Sequence, residues 1–160
     1  MPAGRMSASR YFDEFEVGMV IEHEQSRTVY AADTAGFSAL FHHHNPLYLD
    51  ESRAAEAGLD GLVVNPLYLF NLVLGLTVRE LTESAGPFLG AERIEFLRPV
   101  HPGVSIRARS TVLAKRPSSS RPGWGVVTWE TVGWAPDPVG DVLRYDRSNL
   151  VPFAITGGIV

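Results

Sequence analysis

Most of the residues able to do chemistry lie in one short stretch. After Phe41 the chain reads His42-His43-His44-Asn45-Pro46-Leu47-Tyr48-Leu49-Asp50. Imidazoles, an amide, a phenol and a carboxylate gathered on one turn have the make-up of a small-molecule site. A free imidazole titrates near pKa 6.5 and can accept a proton at neutral pH, whereas a phenol near pKa 10 keeps its own to give. The imidazoles can therefore serve as base and the Tyr48 phenol as donor. The other reading is that both only pack and hydrogen-bond. Asn45 can bond backbone groups locally, and His42 and His44 can fix the turn or line the mouth of a cleft. Adjacent histidines splay apart and no H-x-x-x-H spacing is present, so no metal is expected.

The turn needs elements to hold it. Pro46 removes a backbone donor and disfavours the helical region at Asn45, so the helix before it cannot continue. That helix is expected over Ala31–Phe41, with Ala32, Ala35, Ala39 and Leu40 at helical spacing. A second short helix opens at Asp50 or Glu51 and runs to Ala57, where Gly58 stops it. Pro66 stands well at the first turn of a long helix to Thr82, apolar on nearly every face and so expected to be enclosed. Asn65 before it either caps this helix or points a carboxamide at a substrate carbonyl. Met19–Val29 reads as a first strand. Phe88–Leu97, Val104–Ala114, Gly125–Gly133 and Gly140–Val151 read as four more, divided by Pro-Gly, Ser-Ser-Ser-Arg-Pro-Gly and Pro-Asp-Pro turns. The expected fold class is α+β, a curved antiparallel sheet wrapped around one long helix. Residues 1–10 are expected to be a flexible N-terminus and 11–160 a single domain.

Bulk composition narrows the class of protein. With 160 residues, 45% hydrophobic and 20% charged, the chain has globular composition and length for one buried core. A net charge of −4 argues against a nucleic-acid partner. There is no cysteine, hence neither disulfides nor thiolate chemistry. The first residues lack the apolar core of a signal peptide, and the best membrane candidate, Leu62–Val78, is broken by Asn65, Pro66 and Asn71. A cytoplasmic protein with no membrane partner is expected.

The order of elements, with this turn ahead of the long helix, resembles the hot-dog fold and the MaoC-like, R-specific enoyl-CoA hydratase family. Against the family pattern F-x-x-x-x-G-D-x-N-P-[LIV]-H-x-D, Phe37 opens the match, Asn45-Pro46-Leu47 holds its middle and Asp50 closes it. The run Ile94-Glu95-Phe96-Leu97-Arg98-Pro99-Val100-His101-Pro102-Gly103 is similar to the family's F-x-x-PV-x-PGD segment. Lys115-Arg116-Pro117-Ser118-Ser119-Ser120-Arg121-Pro122-Gly123, with Gly125-Val126-Val127, resembles the Ser-Arg-Pro run of relatives acting on mesaconyl- or methyl-branched CoA thioesters, the branch nearest this chain.

The resemblance implies addition or removal of water on an enoyl or 3-hydroxyacyl thioester of coenzyme A or a carrier protein. Coenzyme A would enter as part of the substrate, with no separate cofactor, and relatives imply a homodimer or higher homo-oligomer sharing its clefts. The family's catalytic residues are nevertheless altered. His43 stands where its Asp belongs and Tyr48 where its His belongs, which implies a swapped catalytic pair with His43 as base and Tyr48 as donor. Pro66, which has no N–H, replaces the Gly whose backbone receives the thioester oxygen, and Leu74 replaces a helix serine. The expected substrate-binding set is Asn45, Asn65, His44 and Pro66. Arg98, Lys115, Arg116 and Arg121 are candidates for the phosphates of coenzyme A. The alternatives are a repurposed isomerase or cyclase, or a catalytically inactive binding or partner subunit.

Overall fold

The computed structural model describes residues 9–154, so most of the segment expected to be flexible, residues 1–8, lies outside the described residues. In chain order the elements are β1 (Val20–Glu22), β2 (Arg27–Thr28), α1 (Ala31–Leu40), α2 (Glu51–Glu56) and α3 (Pro66–Leu81). They continue with β3 (Phe88–Phe96), β4 (Ser105–Pro117), β5 (Trp124–Ala135) and β6 (Gly140–Pro152), and two 3-10 turns occupy Phe12–Glu14 and Pro46–Tyr48. The antiparallel sheet runs β1-β4-β5-β6-β3, with β2 also on β4. Burial alternates residue by residue along β5, as a strand with one face on the core requires. β3 ends the sheet and leaves Phe88, Leu89, Ile94 and Phe96 exposed.

α3 lies across the inner face of β4, β5 and β6. Leu69, Val73 and Leu76 pack with Ile106, Ala108, Val142, Leu143 and Tyr145, and the Phe70 ring meets the Tyr145 ring edge-on at 4.9 Å. Gly133 permits the close approach, because a Cβ there would stand 2.6 Å from Val73 Cγ2. A second core gathers Phe12, Phe15, Leu81, Val112 and the fully buried Trp129. The two ends of the described chain join it: the Phe12 and Phe153 rings lie 4.6 Å apart, and the Ala154 N–H donates to Asp13 Oδ2 at 2.9 Å.

Two expectations are corrected, and α1 adds a feature that its helical spacing alone did not address. α3 is not enclosed: Leu67 is 44% and Val78 36% exposed, because the sheet covers one side and leaves the stripe Leu67, Asn71, Leu74, Val78 open or half-open. α1 does not turn its apolar residues inward; Leu40 is 73% exposed, and the fully buried positions are Thr34 and Ser38. Their hydroxyls face Asn65, which supplies the hydrogen bonds that make a polar inner face stable. The single strand over Met19–Val29 is two short ones. Between Glu22, opposite Arg109, and Arg27, opposite Ile106, the chain carries extra residues and turns His23 into the core.

Candidate active site

The site is built where α1 ends and α3 begins. His42 adopts φ +57°, the left-handed conformation that ends helices, and the His43 N–H then closes onto the Ser38 carbonyl at 2.8 Å. This folds His43 back over α1, where its half-buried ring stands edge-on to Phe37 at 5.7 Å and near Phe41 at 6.4 Å. The exposed His42 and His44 rings meet each other at 5.8 Å. Asn45 Oδ1 accepts the Leu47 N–H at 3.1 Å, so its carboxamide builds the turn. Asp50 caps α2, with Oδ1 accepting from Ser52 N–H at 2.9 Å and from the Ser52 hydroxyl at 2.6 Å. The hydroxyl bond is the main cause holding its carboxyl below the usual range.

Asn65 is the hub. It is 1% exposed. Its Oδ1 accepts the Leu67 N–H at 2.9 Å, capping α3. Its own N–H donates to Thr34 Oγ1 at 2.8 Å, and its Nδ2 donates to Ser38 Oγ at 3.1 Å. The same Nδ2 stands 3.5 Å from His43 Nδ1. The Leu67 bond fixes which end of the amide is oxygen, so His43 Nδ1 faces a donor and must accept. In a neutral ring that contact leaves the proton on Nε2. Pro66 occupies the first position of α3 and offers no N–H.

Tyr48 and Pro66 border one cavity of about 350 Å³, with Val63, Leu69 and Leu97 among its walls. His43 is not part of that lining, and no hydrogen bond joins it to Tyr48. The structure therefore brings Tyr48 to Pro66 and His43 to Asn65. Arg98 also borders the cavity and bonds the Val139 carbonyl. Lys115 sits 4.8 Å over the Phe12 ring and Arg121 4.2 Å over Trp124, while Arg116 reaches the Pro117 carbonyl. The sequence reading missed Thr34 and Ser38, whose signal is their own i, i+4 spacing. It also missed His101, whose Nδ1 bonds the Leu62 carbonyl at 2.9 Å and holds the strap before α3.

The architecture defines a hot-dog domain. A Mycobacterium tuberculosis protein with a double hotdog fold superposes with a TM-score of 0.83 over 96% of this chain and 47% of its own, at 20% identity. A MaoC domain protein dehydratase from Chloroflexus aurantiacus J-10-fl gives a TM-score of 0.86 at 27% identity, over 94% of this chain and 42% of that one. Within that class the chain belongs to the mesaconyl-CoA hydratase family, whose model matches residues 3–157. The mesaconyl-CoA hydratase of Haloarcula hispanica is 34% identical over 142 residues, which is 89% of this chain and 40% of that relative. The chain thus spans less than half the length of that relative. Among the described residues no helix is long and apolar enough to cross a membrane.

Proposed function

We propose that the protein is a hydro-lyase that adds or removes water across the double bond next to the carbonyl of a coenzyme A thioester, with a branched or dicarboxylic acyl group. The observation that carries this reading is the cavity at the start of α3, bordered by Tyr48 and Pro66, in a chain whose family model covers nearly its whole length. In the elimination direction a proton leaves C2, the C3–O bond breaks, and the hydroxyl departs as water. A single phenol between C2 and C3 balances the protons: the Tyr48 hydroxyl gives its own to the departing oxygen as it takes the one from C2. Charge develops meanwhile on the thioester oxygen. Pro66 cannot meet it with an N–H, and the Leu67 N–H is taken by Asn65. We assign the donor in their place to His43, whose Nδ1 contact with Asn65 leaves Nε2 for the substrate although the ring itself does not line the cavity. His43 thus acts as donor, whereas the sequence alone suggested a base.

The same facts favour a second reading. With both amide hydrogens of Asn65 directed at Ser38 and His43, the helix start offers little to an oxyanion, as expected of a repurposed enzyme or an inactive partner subunit. Loss of enoyl-thioester absorbance on straight, branched and dicarboxylic enoyl-CoAs separates them. Turnover is expected in the wild type, with Tyr48→Phe and His43→Ala each lowering kcat about 10²-fold or more, the usual scale of a lost proton-transfer or oxyanion group. Absence of turnover on every substrate moves the assignment to the second reading.

A further inference from the structure

Part of the wall of the Tyr48 cavity is chain that belongs to no helix or strand. Between α2 and α3, residues 57–64 form a strap, and its Leu59, Val63 and Val64 line the cavity. Gly58 and Gly61 bend this strap at φ +81° and +97°, the left-handed region that other residues rarely adopt. A Cβ at either glycine would meet nothing within 4 Å, so conformation and not space calls for glycine there. A segment bent in this way has little within itself to fix it.

Backbone bonds hold the two ends of the strap. The Leu59 N–H donates to the Ala54 carbonyl at 3.0 Å, and the Val64 N–H donates to the Val100 carbonyl at 2.8 Å. Between them the Val63 N–H reaches the Leu47 carbonyl, on the turn that carries Tyr48, at a long 3.5 Å. The short bond of that middle stretch comes from a side chain, His101 Nδ1 to the Leu62 carbonyl at 2.9 Å. A carbonyl only accepts, so Nδ1 carries a proton in the neutral and the charged ring alike, and the tie survives titration of the imidazole. His101 is half-buried in the turn from β3 to β4, where Pro99 and Pro102 restrict the backbone. Its neighbour Val100 is the residue that holds Val64. One stiff corner thus grips the strap twice, through the backbone and through an imidazole.

We propose that His101 is a positioning residue of the Tyr48 cavity: by fixing the Leu62 carbonyl it holds Leu59 and Val63 as a close wall and limits the chain that the cavity admits. For the identity of that chain the role rests on the thioester reading; the tie itself does not. At about 30 Å³ per heavy atom, water's share of liquid volume, the cavity of about 350 Å³ holds roughly a dozen heavy atoms at most. A short acyl group fits within that limit and a dodecenoyl group exceeds it.

Two variants read the tie. His101→Ala removes it, and His101→Asn keeps an N–H donor at the same distance along the side chain. Hydrogen exchange at the amides of residues 59–64 reports on the strap without any ligand. Exchange is expected to rise about tenfold or more in His101→Ala and to return towards the wild-type rate in His101→Asn, with β5 and β6 unchanged in both. Unaltered strap exchange in His101→Ala overturns the proposal. Should that variant fail to fold, His101→Leu, which keeps bulk and loses the donor, takes its place. Turnover then reads the wall. The wild type is expected to favour 2-methylbut-2-enoyl-CoA over 2-methyldodec-2-enoyl-CoA at least tenfold in kcat/KM. In His101→Ala the KM of the short substrate rises about five- to tenfold, the scale of one lost hydrogen bond, while kcat stays within about twofold and the preference narrows. A fall in kcat on both substrates alike, with the preference kept, sinks the positioning role. Absence of turnover in every form is a failure of the thioester reading, and strap exchange then decides the tie alone.

Discussion

The two ends of α3 treat buried polar atoms in opposite ways. At the first, Asn65 joins Thr34, Ser38 and Leu67 in one closed set of hydrogen bonds. Towards the second, His23 links Glu80 at 2.8 Å to Ser110 at 2.9 Å, and Ser110 links on to Thr131. Yet Glu80 Oε1, two nitrogens of Arg147 and Asn149 Oδ1 stay open. A buried polar atom left without a partner costs about 1–3 kcal/mol, so the closed set defines the fold whereas the open one draws on its stability. A fully satisfied polar cluster reads as architecture, and an unsatisfied one as a cost that the single chain carries.

If that contrast is real, substitutions at the two ends differ in sign. The largest effect is expected from Asn65→Ala, which removes the cap and strands the Ser38 hydroxyl, while the backbone bond to Thr34 stays. It should cost about 2–4 kcal/mol, read from the urea midpoint at unchanged m-value. A loss below about 1 kcal/mol would show that the cluster does not hold the helix start. Arg147→Met is expected to move the midpoint the other way, by about 1 kcal/mol, since an uncompensated charge is exchanged for an apolar chain of similar length. A large destabilisation there would mean that the guanidinium is already paired in the working protein.

The smallest effect is a pH dependence from His23. Its contact with Glu80 favours the charged form, but burial outweighs it and holds the imidazole below its ordinary 6.5. The folded state therefore binds fewer protons than the unfolded chain just below pH 6.5, so stability is full above that value and falls as the pH drops through it. Urea midpoints between pH 8 and pH 5 should decline in the wild type and flatten in His23→Gln. An equal slope in both would assign the decline to other groups.

The sequence disclosed best what local chemistry decides. Asn followed by Pro announces a capped helix start, and α3 begins at Pro66 with Asn65 as cap. Turn residues and β-branched runs marked β3 to β6 to within a few residues. Partnerships across the chain stayed hidden. Thr34 and Ser38 look outward on any apolar count, because Asn65, 27 residues beyond Ser38, is what draws them in. That α3 keeps an open face depends on how far the sheet curls, which no helical period reports. Arg147 was legible only in part: alternation along β6 puts it beside Tyr145 and Asn149, but the register had to be known first.

The meeting of Phe12 with Phe153 has a consequence for connectivity. Both described ends of the chain leave from one corner, beside Leu81 at the finish of α3, where the Arg10 N–H also reaches the Glu80 carbonyl. That corner is about 22 Å along the helix from Pro66, given its rise per residue. The described ends therefore share the pole opposite the Asn65 cluster, so that N-terminal and C-terminal strain on this corner would be felt first by the second core and not by the Tyr48 cavity.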